Sequence, residues 1–250
     1  TTAGILPWAP PPDSAGPRAR RGGDCAIGEG FRGGGGTPAV PKPLPMKGLR
    51  LGLPRGTFLT DGMDGTVAAV FGRTLTRLSA AGAQIIEFDL PELDQIAAAN
   101  AAGGFAASEA WAWHHRLIAE HGDRYDPRIL KRIQRGERMS AADYVELVQA
   151  RARIIAAVAP RTAPFDAMIG PTCPVVPPAI AEVAAEADYN RINMALLRNT
   201  SVGNFLDRCS ISIPCQAEGE APVGLMLTGE HMGDARLFQV AAAVEAALAA

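Results

Sequence analysis

From residue 47 onward the apolar positions fall into two alternating rhythms. Gly48-Leu-Arg-Leu-Gly-Leu-Pro54 has the two-residue period of a short strand and is stopped by proline. Val67, Val70, Phe71, Leu75 and Leu78 then recur at three- and four-residue spacing, which predicts a helix, and Ala81-Gly82-Ala83 supplies the glycine that ends one. Residues 84–90 read as a second strand, carried by Ile85, Ile86 and Phe88. Strand, helix, strand in this order predicts a parallel pair.

Residues 91–160 are almost wholly helical in pattern, broken at Gly103-Gly104, Gly122 and Pro127. Ser140 with Asp143 three residues on is a helix-start signal. Tyr144, Leu147, Val148, Ile155 and Val158 mark one face of the helix that follows. Phe165-Asp-Ala-Met-Ile-Gly170 returns to a strand and leads into Pro171-Thr-Cys-Pro174, a loop made rigid by proline. The last third predicts a helix over 189–197, strands over 210–214 and 222–228, and a closing helix striped by Leu237, Val240, Ala241, Val244 and Leu248, with Asp234 as its cap. The sum is a layered α/β protein.

Composition changes this picture at the front of the chain. The first 45 residues hold 10 Gly and 9 Pro, so residues 1–45 read as an irregular lead-in and 46–250 as the folded body. At 48% hydrophobic and 20% charged the whole is an ordinary globular composition. Twenty-four Lys+Arg against 26 Asp+Glu offer a nucleic-acid backbone no overall attraction, so no nucleic-acid partner is expected. The longest uncharged stretch, residues 167–181, carries four prolines, and no membrane span is expected. Cys25, Cys173, Cys209 and Cys215 form no C-x-x-C pair and read as small buried hydrophobes of a reducing, cytoplasmic setting.

The residue types that could carry chemistry do not assemble into an engine. His115 and His121 are six apart, roughly 600° around a helix, and a metal site is not expected there or at His114. His231 stands alone in a turn, Gly229-Glu-His-Met-Gly233. None of the seven serines has a glycine neighbour, so no nucleophile elbow is legible. The three lysines, Lys42, Lys47 and Lys131, sit in a proline-rich linker or on a polar helix, where nothing desolvates them into a base.

Four separated strings, in order, resemble the C-terminal half of the amidase signature family. They are Phe165-Asp-Ala-Met-Ile-Gly-Pro-Thr-Cys-Pro-Val-Val-Pro-Pro178, Arg198-Asn-Thr-Ser-Val-Gly-Asn-Phe-Leu-Asp207, Cys209-Ser-Ile-Ser-Ile-Pro214, and Pro222-Val-Gly-Leu-Met-Leu-Thr-Gly229 with residues 234–245. Gly48-Leu-Arg-Leu-Gly-Leu-Pro54 is similar to the strand opening that half, and Gly4-Ile-Leu-Pro7, Asp13-Ser14, Gly16-Pro17 and Asp24-Cys25-Ala26 to the stretch before it. Residues 11–36 depart from the pattern: where the family enters a helix, this chain has Ala19-Arg-Arg-Gly-Gly23 and then four consecutive glycines, and irregular backbone is expected.

The resemblance implies a mixed central sheet covered by helices and the hydrolysis of carboxamides by a Ser, cis-Ser, Lys centre. In the family that centre lies upstream of the segment matching Thr1, so this chain is expected to be a fragment without its own catalytic residues. What carries over is one wall of the acyl pocket, with Thr172, Cys173, Asn204 and Asp207 as candidate lining residues. The implied partner is a small-molecule amide, with no cofactor and no metal. Two other readings are a non-catalytic scaffold remnant and the amidase-like subunit of a tRNA-dependent amidotransferase. A sheet cut in two would also expose an edge and favour self-association.

Overall fold

The computed structural model describes residues 16–19, 22–33 and 40–249. In chain order the elements are α1 (Gly22–Gly33), β1 (Arg50–Arg55), α2 (Gly65–Ala80), β2 (Gln84–Asp89), α3 (Asp94–Ala99), α4 (Gly104–His121), α5 (Pro127–Gln134), α6 (Ala141–Thr162) and β3 (Ala167–Pro171). They continue with α7 (Glu186–Arg198), α8 (Thr200–Phe205), β4 (Ser210–Pro214), β5 (Gly224–Thr228) and α9 (Asp234–Ala249). The strands form a sheet of order β2-β1-β3-β5-β4. β1 is parallel to β2 and to β3, whereas β5 is antiparallel to both β3 and β4, so the sheet is mixed.

Alternation along the strands sorts their side chains onto two helical layers. Leu51, Leu53, Ala167, Ile169, Leu225 and Leu227 pack with Phe71 and Leu78 of α2 and Leu237, Val240 and Val244 of α9. Met168 points the other way, into a cluster with Leu147, Ile154 and Val158 of α6 and Val202 and Phe205 of α8. β3 is buried at every residue, which its unbroken apolar run dictates. Gly52 interrupts the apolar run of β1 because a side chain there would enter the ring of Phe165.

Several helix ends follow their local sequence closely. Gly82 adopts φ 103°, the N–H of Ala83 reaches the carbonyl of Leu78 and that of Gly82 the carbonyl of Ser79, a two-bond glycine stop for α2. Ser140 and Asp143 bond each other's N–H at the start of α6. Asp234 sits in the first turn of α9, not ahead of it as a cap.

The lead-in differs from expectation. Gly22–Gly33 is helical despite its glycines, and its first N–H donates to the Glu245 carboxylate of α9 at 3.1 Å. Docking of that helix start onto an acid contributes up to about 1 kcal/mol against a propensity cost of about 1 kcal/mol per glycine. Gly4-Ile-Leu-Pro7, Asp13-Ser14 and the glycines at 34–36 lie outside the described residues. β2 and β4 edge the described sheet. Along β4, Ser210, Ile211 and Ser212 share a groove of about 290 Å³ with Gly16, Pro17 and Arg18. Among the described residues no helix is long and apolar enough to cross a membrane.

Candidate functional site

Parallel β1 and β3 end on the same rim of the sheet, where β4 also ends and β5 begins. The loop leaving β3 on this rim is fastened at three places. Thr172 donates its N–H to the carbonyl of Gly224 at 2.8 Å, and its hydroxyl lies 2.6 Å from that of Ser212. Gly224 has no side chain because a Cβ there would collide with both hydroxyls. Asp64 makes the second fastening. One carboxylate oxygen caps α2 by accepting from Val67 N–H at 2.7 Å, and the other accepts from Val176 N–H at 2.7 Å. Its own N–H donates to the carbonyl of Pro174 at 2.9 Å.

Asn199, at the junction of α7 and α8, makes the third fastening. It has no solvent exposure, and its amide nitrogen donates to the carbonyls of Leu59 and Pro171, each at 2.8 Å. Its oxygen accepts from Arg198 Nε at 3.2 Å, and Arg198 also donates to the carbonyl of Asp61 at 2.7 Å. One side chain thus ties the loop after β1, the end of β3 and the α7–α8 junction together. Burial pushes the Arg198 pKa down, with Asp61 opposing.

Of the four lining residues expected from sequence, Thr172 and Cys173 stand on this rim, both half-buried. Cys173 directs its thiol to the carbonyl of Leu196 at 3.5 Å, and burial pushes that thiol up, so it stays protonated at neutral pH. Asn204 and Asp207 are carried away from it. α8 starts beside Pro171 and runs toward the opposite rim, where β4 begins across from Thr228 and, beyond it, Met168. Three residue steps along β3, about 10 Å, separate those ends. The Asn204 side chain is exposed, and the residue's backbone carbonyl accepts from Arg151 at 3.1 Å. Asp207 adopts φ 57°, with its carboxylate 3.6 Å from Arg151 and 3.3 Å from His231.

Asp64 and Asn199 are the rim residues that sequence reasoning passed over. Asp64 had a signal, an Asp directly ahead of a helical apolar stripe. Asn199 lies within a string that carries the family resemblance, yet nothing in its spacing distinguishes it from Asn204. Five of the described serines have partners: Ser108 and Ser201 donate to nearby helix carbonyls, Ser140 caps α6, Ser210 meets Thr228, and Ser212 meets Thr172 on the rim. His114 is buried in the helical layer with Nδ1 2.8 Å from the Tyr125 hydroxyl. Among the described residues no three His, Cys, Asp or Glu side chains converge as metal ligands would. The rim thus combines the hydroxyls of Thr172 and Ser212 with the Asp64 carboxylate and the Arg198 guanidinium, each held in hydrogen bonds that fix the loop.

Comparison with known proteins identifies the family. The family model described as amidase matches residues 38–238. The chain is 32% identical over 212 residues to 2-amino-5-chloromuconic acid deaminase of Comamonas testosteroni, covering 84% of this chain and 46% of that protein. It is 27% identical over 207 residues to an amidase of Pseudomonas putida, covering 81% and 43%. A crystal structure of an amidase superposes with a TM-score of 0.82 at 22% identity, over 97% of this chain and 55% of that one, a likeness of fold. The chain spans about half the length of the relatives it matches. With most of its residues inside the family match, the chain belongs to the amidase family.

Proposed function

We propose that this chain forms the substrate-facing half of an amide hydrolase, with the nucleophile supplied by residues outside these 250. The reaction is addition of water across a carboxamide C–N bond, giving a carboxylate and ammonia or an amine. The observation that carries this reading is the Asn199 clasp, which spends a fully buried side chain on fixing the loop that holds Thr172 and Cys173. A side chain with no exposure bonded to two separate carbonyls is the support expected of a wall that must hold its shape against a bound molecule. Thr172 and Ser212 present neutral hydroxyls there, and Cys173 contributes a protonated thiol that packs without attacking. Four unpaired cysteines fit a reducing compartment such as the cytoplasm.

Assayed alone against acetamide, benzamide and a nitroanilide, the chain is expected to release no product. Turnover by the purified chain that disappears on replacement of Cys173 or of one of the seven serines overturns the placement of the nucleophile outside the chain. A chimera in which this chain replaces the matched portion of the Comamonas testosteroni relative is expected to retain that relative's activity. Asn199→Ala in the chimera should lower kcat/KM by about tenfold or more through misplacement of the wall. A folded chimera without turnover counts against the assignment.

A further inference from the structure

Arg198 is a half-buried cation at the end of α7, and among the described residues no carboxylate lies within ion-pair distance of it. Asp61 acts on it only from farther off. Its donors go to neutral oxygens instead, Nε–H to Asn199 Oδ1 at 3.2 Å and Nη2–H to the carbonyl of Asp61 at 2.7 Å. Those two N–H groups lie on one edge of a planar guanidinium, so their acceptors are held in a fixed relation. Burial of the charge without a close counter-ion is unfavourable and pushes the Arg198 pKa down. A cation kept there with no carboxylate beside it is placed for its geometry.

That geometry bears on Asn199. A guanidinium only donates, so it meets the oxygen of the Asn199 amide and turns the nitrogen toward the carbonyls of Leu59 and Pro171. A flipped amide would set its oxygen against both carbonyls and its N–H groups against the guanidinium, and all three bonds would be lost together. Leu59 and Asp61 are two residues apart in the loop after β1. That loop is therefore gripped twice, by Asn199 and by the arginine that orients it.

We propose that Arg198 is a positioning residue, which locks the Asn199 amide in one orientation and through it sets Thr172 and Cys173 against the loop after β1. Lysine at this position keeps the charge but has no planar fork to hold both acceptors, so the role belongs to the guanidinium shape. The effect on turnover rests on the amide-hydrolase reading, whereas control of the Asn199 amide stands on the geometry alone.

The test is hydrogen exchange of the Asn199 side-chain N–H groups in the purified chain, followed by nitrogen-15 NMR and assigned by their absence in Asn199→Ser. Both protons are bonded and buried, so both are expected to exchange slowly. R198M should speed them by about tenfold or more while the backbone amides of β3 and β5 exchange as before. R198K should behave more like R198M than like the parent chain. R198Q, which keeps one donor, should fall between parent and R198M, and it carries the test if R198M does not melt cooperatively. Unchanged exchange at Asn199 overturns the proposal, and so does equal acceleration at Asn199, β3 and β5, which marks a merely stabilising side chain. In the chimera, R198M should lower kcat/KM by about tenfold, yet add less than about twofold to the loss caused by Asn199→Ala, because the amide it acts through is already gone. Full additivity in an active chimera also overturns it. A chimera without turnover sinks the hydrolase reading and leaves the exchange measurement to decide on Arg198.

Discussion

The two rims of the sheet are built from the same strands and held by different physics. Where β1 and β3 end, the ties are mostly short hydrogen bonds to main-chain groups: the Asn199 amide to two carbonyls, Asp64 to two N–H groups, and Thr172 N–H to the Gly224 carbonyl. Where β3 starts, the ties include ion pairs with one member in solvent, Arg208 (5% exposed) to Glu230 at 2.6 Å, Arg236 to Asp166 (19% exposed) at 2.5 Å, and the more exposed His231 to Asp207 at 3.3 Å. Glu230, Asp207 and His231 are each half exposed or more. A bond to buried backbone has no water to replace it, whereas an exposed ion pair does. The contrast is one of degree: the near rim centres on a side chain with no exposure, whereas the far rim leans on solvent-facing charges while still bonding main chain at Arg50, Pro164 and Asp207.

Removing Asn199 is the strongest way to break this contrast. Asn199→Ala strands the carbonyls of Leu59 and Pro171 in a site with no exposure, and leaves a small cavity. The expected loss is about 2–4 kcal/mol in urea unfolding. Asn199→Asp should be at least as damaging, since it presents a buried charge to two carbonyl oxygens. A loss below about 1 kcal/mol would mean that the rim holds without its clasp.

Asp64 comes next. Asp64→Ala deletes the α2 cap and frees Val176 N–H, for an expected loss of about 1–2 kcal/mol. Asp64→Asn keeps one acceptor and should recover part of it. Protease cleavage within 172–178 should accelerate in the alanine variant, and unchanged cleavage would detach the loop from the cap. Thr172→Val, which removes the hydroxyl facing Ser212, should cost about 0.5–1.5 kcal/mol. Cys173 gives a chemical reading of the same loop. Burial raises its pKa, so alkylation by iodoacetamide should be slow at neutral pH and increase only as pH climbs past the ordinary thiol range. Faster alkylation in Asn199→Ala would show the wall opening.

Much of the fold was legible because it depends on period and local chemistry. The apolar stripe over Val67–Leu78, the Ala81-Gly82-Ala83 stop, the Ser140–Asp143 start and the strand at 210–214 all recur where the pattern puts them. The strand expected over 222–228 begins at Gly224 instead, after Val223 has given its N–H to the Gln216 side chain. α1 was not legible, since the Glu245 carboxylate holding its first turn is 223 residues away. The site divides in the same way. Thr172 and Cys173 follow directly from a strand into a proline loop, so order along the chain places them on the rim. Asn204 and Asp207 share a string with Asn199, and which of the three faces the rim depends on the direction in which α8 crosses the sheet. No spacing rule within the string carries that direction.

The smallest expected effect is on the far rim and tests the contrast from its other side. His231 donates Nδ1–H to the carbonyl of Asp207 at 2.9 Å while its ring is 64% exposed. Its carboxylate neighbour is 53% exposed, so water can replace either partner at little cost. Asp207 also holds φ 57°, which costs a non-glycine residue on the order of 1 kcal/mol and which glycine adopts without strain. His231→Ala is therefore expected to change unfolding free energy by no more than about 0.5 kcal/mol. Asp207→Gly should be neutral or slightly stabilising, as relief of strain offsets the lost contacts to His231 and Arg151. In the chimera neither change should move KM, because neither residue touches the rim that holds Thr172 and Cys173. A KM shift with His231→Ala would show that the two rims are coupled through α8, and the contrast between them would fail.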